Sequence, residues 1–230
     1  MGLLLERGNR GLLVGQTGSG KTQNALFQLK HACSEPVIIF DTKIEDAFFV
    51  LDREEGGMEL IQSFQDFQRI SKTPRKKLPA FILVRPAIDE LQNYPVLSDY
   101  SLLCLNKFGE CFVYFDELYS WHNAGRATNG MIGLYTRGRS AKKTVLGATQ
   151  RPNLISRFCI TECQKFYIHD LIDNRDKKVL GEVIPDFAKT GQLPLHHFHH
   201  YETGKQEIVV YSPVPFTDAK GIQVFDKKWL

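Results

Sequence analysis

The sequence predicts an α/β fold: a central, mainly parallel sheet flanked by helices, with a C-terminal β-hairpin. Three observations carry that expectation. Short apolar runs recur along the 230 residues, and they are continuous rather than alternating, as in strands buried on both faces. Helix-compatible stretches separate them. Near the C-terminus two strand-like runs close around Glu202-Thr203-Gly204-Lys205. With 43% hydrophobic and 24% charged residues, a chain of this length buries a continuous core without staples.

In chain order, GLLVG (11–15) reads as the first strand and 21–32 as the helix after it. VIIF (37–40) is the second strand. MELIQSFQDFQRI (58–70) has apolar residues at helical spacing. SKTPRKKLP (71–79) is a basic surface loop by its Pro and Lys content. AFILV (80–84) follows as a strand, then a helix over 98–108 with Ser98 as N-cap. CFVYF (111–115), TVLGA (144–148) and KFYIH (165–169) complete the parallel set, and 196–212 forms the hairpin. The expectation is one domain over 1–230, with a core of about 10–170 and a helix plus hairpin over 171–230.

Lys and Arg number 29 against 26 Asp and Glu, a net charge of +3 that neither demands nor excludes a polyanion partner. Five Cys, an odd number without CxxC spacing, argue against a disulfide framework and for a reducing compartment. No apolar run reaches the ~18 residues of a membrane span, so no transmembrane segment is expected. Met1-Gly2 begins like a myristoylation signal, but Glu6 stands where Ser or Thr is needed.

The chemistry starts at Gly15-Gln16-Thr17-Gly18-Ser19-Gly20-Lys21-Thr22, a Walker A pattern between an apolar strand and a helix. Its glycines let the backbone curl until successive N–H groups face phosphate oxygens. The following helix adds its N-terminal dipole. Lys21 reaches the β- and γ-phosphates, and the Thr22 hydroxyl is an Mg²⁺ ligand. The plain alternative, a Gly-rich strand-to-helix turn, does not account for the Lys-Thr pair.

A metal anchor is needed opposite that turn, and Asp116, ending CFVYF, provides a Walker B carboxylate. Glu117 beside it can polarise a water for in-line attack, which favours hydrolysis. A guanine-reading NKxD is missing: Asn106-Lys107-Phe108-Gly109 lacks the Asp, so ATP is the default nucleotide.

From Leu118 to Thr161 there is no Asp or Glu, while Arg126, Arg137, Arg139, Lys142, Lys143, Arg151 and Arg157 lie within it, a local +7. This stretch is expected on the catalytic side of the sheet, facing a polyanion; a solvated charged face is the alternative. Arg139, with Arg137 as competitor, can reach a neighbouring subunit's γ-phosphate. Gln150, at the tip of TVLGA, should lie beside Asp116, where open α/β sheets place ligands. Asp41-Thr42-Lys43 shares that edge, as a nucleotide or DNA contact or, more simply, a strand-end cap. The HHFHH run (196–200), with Cys159, Cys163 and His169, makes a poor zinc cage, because strand alternation splits neighbours between faces; an exposed or phosphate-contacting strand is preferred. Phe48, Phe49, Tyr119 and Trp121 are taken as packing residues.

GQTGSGKT, then FVYFDE, then an Arg some eleven residues before a Thr-Gln at a strand end resembles the HerA/FtsK superfamily of P-loop motors. The short chain resembles, within it, the genome-packaging ATPases of tectivirus-like, internal-membrane, double-jelly-roll viruses. That resemblance implies a P-loop NTPase fold of the additional-strand, catalytic-Glu type and a homo-oligomeric ring. It implies Lys21 and Thr22 on phosphate and metal, Asp116 on Mg²⁺, Glu117 activating water, Gln150 sensing the γ-phosphate and Arg139 acting in trans. The implied partners are double-stranded DNA and capsid or packaging-vertex proteins, in the host cytoplasm during assembly and at the virion's packaging vertex. Basic loops, with Lys72, Arg75, Lys76 and Lys77, would face DNA. Rival expectations are a filamentous-phage assembly or export ATPase, a small-molecule P-loop kinase with TRGRS (136–140) as its lid, and a nucleotide-gated scaffold.

Overall fold

The computed structural model describes residues 2–123, 125–205 and 207–214. The strands are β1 (Arg10–Val14), β2 (Val37–Phe40), β3 (Met58–Ile61), β4 (Phe81–Val84), β5 (Cys111–Phe115), β6 (His122–Asn123), β7 (Arg126–Ala127), β8 (Lys143–Thr149), β9 (Lys165–Ile168), β10 (Phe198–Glu202) and β11 (Ile208–Tyr211). The helices are α1 (Lys21–Lys30), α2 (Phe49–Glu55), α3 (Phe64–Ile70), α4 (Ile88–Leu91), α5 (Tyr94–Asn106), α6 (Asn129–Arg137), α7 (Arg157–Thr161) and α8 (Asn174–Gly181).

Nine strands form one sheet in the order β11-β10-β9-β1-β8-β5-β2-β4-β3, and all pairs from β9 to β3 are parallel. The strand β8 separates β1 from β5, the additional strand expected between the Walker strands. Continuous apolar runs place alternate residues on opposite faces. Leu12, Val14, Ile38, Phe40, Val113 and Phe115 pack on one side, covered by α3, α5, α6, α7 and α8. Leu13, Val37, Ile39, Phe112 and Tyr114 pack on the other, covered by α1 and α2. The C-terminal hairpin continues the sheet, because β10 pairs antiparallel with both β9 and β11.

Two helix expectations change. Residues 58–61 are an edge strand, not the first turn of a helix: Met58–Ile61 pairs with Phe81–Val84, and Gly56-Gly57 breaks the chain before it. The helix begins at Phe64, where Ser63 accepts from the Asp66 amide. The helix expected from Ser98 begins a turn earlier, at Tyr94, capped by Asn93. Ser98 accepts instead from the Gly130 amide at 2.8 Å, where α5 meets α6.

Segment 71–79 is largely exposed, and its Arg75 is tied to the Glu110 and Glu35 carbonyls. Among the described residues no helix is long and apolar enough to cross a membrane.

Candidate active site

The Gly15–Thr22 turn leaves β1 at the carboxyl edge of the sheet and ends as α1 begins. Gly18 and Gly20 sit at φ 77° and 104°, conformations that L side chains rarely adopt. At Gly15 space decides: a Cβ there would lie 2.5 Å from Ser19 Oγ and 2.7 Å from His169 Cβ. Gly20 caps α1 without a side-chain bond, and the first turn of that helix carries no acidic residue. Its leading amides are thus free to receive an anion.

Lys21 folds back on this turn, its Nζ donating to the Gln16 carbonyl at 3.0 Å. Burial, with Lys43 adding to it, pushes its pKa down to about 8. The Thr17 hydroxyl donates to Gln150 Oε1 at 2.9 Å, bringing the tip of β8 to the glycine-rich turn. Gln16 is held by Asp170 at 3.0 Å.

Facing the turn, β5 ends in Asp116 and Glu117. The Tyr114 hydroxyl donates to Asp116 Oδ1 at 2.9 Å, and Lys43 Nζ lies 3.2 Å from Asp116 Oδ2 and 3.7 Å from Glu117 Oε2. Glu117 Oε1 is buried with no hydrogen-bond partner among the described residues, a carboxylate oxygen ready for a water. Glu45 accepts from the Thr22 hydroxyl at 3.3 Å. Its pKa is raised, first by burial and then by Asp116.

Among the described residues no group of three or more His, Cys, Asp or Glu side chains could hold a metal ion alone. A P-loop ion needs another arrangement, a Thr hydroxyl and a strand-end carboxylate completed by phosphate oxygens. Thr22 and Asp116, with the carboxylates of Glu45 and Glu117 close by, are hard oxygen donors that suit Mg²⁺. A cavity of about 660 Å³ lies over the glycine-rich turn; Lys21, Thr22, Lys43, Glu45, Gln150 and His196 are among its lining. Two other clefts, about 710 and 870 Å³, contain none of the glycine-rich turn.

His169 is the support that sequence reasoning missed. It ends the KFYIH run beneath the turn, stacks on Phe198 with centroids 5.0 Å apart, and its Nε2 pairs with Asn24 at 3.3 Å. Burial holds its pKa down at about 3, so it packs as a neutral ring.

The basic stretch does not lie on the catalytic side as one unit. Arg137, Arg139 and Lys142 precede β8, at the amino edge of the sheet, with Arg139 packed beside Gly8. The length of β8, roughly 20 Å, separates them from the glycine-rich turn. Arg139 therefore cannot serve its own site, and TRGRS is no lid over it, which removes the kinase expectation. At the carboxyl edge, Arg151 is engaged by Asp173 and Asp176 at 2.9 and 3.1 Å. Arg157 pairs with Glu182, and Lys143 is buried.

The HHFHH run divides: His196 is exposed and lines the cavity at the glycine-rich turn, whereas His199 and His200 are buried on opposite faces, against Phe187 and against Tyr167 with Tyr211. Phe48 and Trp121 are core residues, Phe49 packs under Arg85, and Tyr119 is half exposed.

No family model matches the chain. It is 31% identical over 219 residues to the DNA packaging ATPase P9 of Enterobacteria phage PRD1, covering 90% of this chain and 88% of that protein. Among solved structures, it resembles the genome packaging NTPase B204 of Sulfolobus turreted icosahedral virus 2 in complex with AMPPCP. The TM-score is 0.68 at 19% identity, over 90% of this chain and 98% of that one. VirB4 of Thermoanaerobacter pseudethanolicus aligns with a TM-score of 0.59 at 10% identity, over 84% and 86% of the two chains. At those identities the structural likenesses speak to the fold, a P-loop ATPase sheet. The alignment with P9 covers nine-tenths of the chain at 31% identity, and the chain belongs to the family of viral DNA-packaging ATPases.

Proposed function

We propose that this protein, acting as a single ATPase domain over 1–230, hydrolyses ATP to drive double-stranded DNA into a preformed viral capsid. The observation that carries the reading is the Gly15–Thr22 turn opposite Asp116 and Glu117 in a relative of a phage packaging ATPase.

Thr22 and Asp116 are the residues that would hold Mg²⁺, which neutralises charge on the transferred phosphoryl group. Turn amides and the start of α1 hold the phosphates. Lys21 leaves the Gln16 carbonyl for the phosphate oxygens. Glu117 accepts a proton from the attacking water. Gln150, tied to the turn through Thr17, senses the γ-phosphate and orients that water.

Arg139, at the amino edge of its own sheet, completes a neighbour's site in a homo-oligomeric ring, with Arg137 as the alternative donor. Arg126 and Lys142, with Lys72, Lys76 and Lys77, face the DNA backbone, a contact independent of sequence and weakened by salt. The work takes place in the host cytoplasm at the packaging vertex, against capsid proteins.

The test is ATP hydrolysis at low salt with and without duplex DNA. Duplex should stimulate turnover, and Glu117→Gln should lower it by at least about a hundredfold while leaving ATP binding intact. Equal rates with and without DNA would remove the motor reading. Turnover surviving in the Gln variant would remove Glu117 from its role.

A further inference from the structure

The turn after β2 places two charged side chains, Lys43 and Glu45 on either side of Ile44, against the two residues assigned to the metal. Glu45 Oε2 accepts from the Thr22 hydroxyl at 3.3 Å, and Lys43 Nζ lies 3.2 Å from Asp116 Oδ2. The same ammonium is 3.7 Å from Glu117 Oε2. One turn thus touches the metal hydroxyl, the metal carboxylate and the catalytic carboxylate.

That turn is held in a costly conformation. Ile44 sits at φ 60°, a left-handed geometry that a β-branched residue rarely adopts. Its side chain is 64% exposed, so core packing does not compensate the strain. Arg85 does the holding. Its Nη2 donates to the Glu45 carbonyl at 2.8 Å and its Nε to Asp41 Oδ2 at 2.9 Å, while Asp41 Oδ1 accepts from the Glu45 amide at 3.2 Å. Between fixed ends at Asp41 and Glu45, the left-handed residue aims Lys43 and Glu45 at one point.

The need for such a device follows from charge. Asp116 and Glu117 are adjacent and mostly buried, and two carboxylates so placed repel unless a cation stands between them. A divalent ion supplies that charge in a loaded site. We propose that Lys43 is a positioning residue that holds the Asp116–Glu117 pair in place and fills the charge of the divalent ion until metal and nucleotide arrive. Loading then requires Lys43 to yield Asp116 and Glu45 to yield Thr22, so the nucleotide-free protein has little affinity for a divalent ion alone. This rests on the assignment of Thr22 and Asp116 to the metal.

The probe is Mn²⁺ with no nucleotide, its free concentration read by electron paramagnetic resonance in low salt at neutral pH. Wild type should bind it weakly. Lys43→Met, which keeps the stem and removes the charge, should bind at least about tenfold more tightly, because a unit cation next to Asp116 is gone. Lys43→Arg should behave as wild type, and Asp116→Asn added to Lys43→Met should abolish the gain. A Lys43 that merely supported the fold would, on removal, lower the melting temperature without creating divalent affinity. If Lys43→Met melts cooperatively and binds Mn²⁺ no better than wild type, the proposal is overturned. Should that variant lack a cooperative melt, Lys43→Gln replaces it, with tighter Mn²⁺ binding again expected and unchanged binding again overturning the proposal. No step of the experiment involves hydrolysis. Absence of ATPase activity in wild type would therefore sink the proposed function while leaving this result standing.

Discussion

Gly15 has no room for a methyl group: Ser19 Oγ and His169 Cβ stand 2.5 and 2.7 Å from where it would be. Gly15→Ala should therefore move the turn off its amide geometry. ATP-analogue binding should weaken at least about tenfold, with a stability loss of about 1–3 kcal/mol. Calorimetry and thermal melting check both, and wild-type affinity in the Ala variant would show that the turn tolerates displacement. Residues of this kind were legible in the sequence because their job is local: eight consecutive positions make the curl, and the phosphate dictates its glycines, Lys21 and Thr22. Asp116 and Glu117 were legible for a related reason, as acids ending an apolar run. Glu45 and His169 were not as parts of the site, and Lys43 was read only as lying on the catalytic edge, without its carboxylate partners. Lys43 reaches Asp116 only because β2 lies beside β5, and His169 lies under the turn only because β9 lies beside β1. Such adjacency is set by strand order, which no window of the sequence contains. Arg85 was hidden in the same way, since it acts through the Asp41 side chain and the Glu45 backbone across from β4.

Among the elements, β8 links the two halves of the site. Gly147 lies within it, and a Cβ there would fall 2.4 Å from Leu118 Cδ1 and 3.0 Å from the Tyr135 hydroxyl. Leu118 follows Glu117 directly, so pressure on it is pressure on the catalytic carboxylate. Gly147→Ala should cost about 1–3 kcal/mol by overpacking and lower kcat more than it raises KM for ATP. A variant with unchanged kcat and reduced stability would show that Leu118 gives way without carrying Glu117 along. The sheet was readable because buried parallel strands are continuous apolar runs, and all six of these emerged as strands. Met58–Ile61 was not, because an edge strand with an exposed face shares its apolar spacing with the helix that follows it. The early start of α5 escaped for another reason: Ser98 is itself a favoured N-cap type, and it drew the boundary away from Asn93 and the Pro95 that a helix's first turn accepts.

For the whole molecule, the position of Arg139 makes a claim about assembly. It is exposed at the amino edge, while the site it would complete lies at a carboxyl edge, so only another copy can bring the two together. Mixing Glu117→Gln protein with Arg139→Ala protein should restore part of the turnover that each has lost, because some interfaces then pair an intact Glu117 with an intact Arg139. No recovery on mixing, with assembly verified by mass, would take Arg139 out of the trans role and leave Arg137 to be tried likewise. A second property of the whole chain comes from its histidines. His122, His169, His199 and His200 are all buried, and burial pushes each pKa down, to about 3 for His169 and about 4 for His200. In the unfolded chain these rings take up protons near pH 6.5. Between that pH and the folded value the unfolded state binds more protons, so stability is complete above about pH 6.5 and falls as the solution is acidified. At pH 5 the loss from His169 alone is about 2 kcal/mol. The melting temperature should therefore fall between pH 7 and pH 5, and His169→Gln, which removes the proton site, should make that fall shallower. If wild type and the Gln variant lose stability along the same slope, His169 is not held neutral under the phosphate turn, and its packing there must be reconsidered.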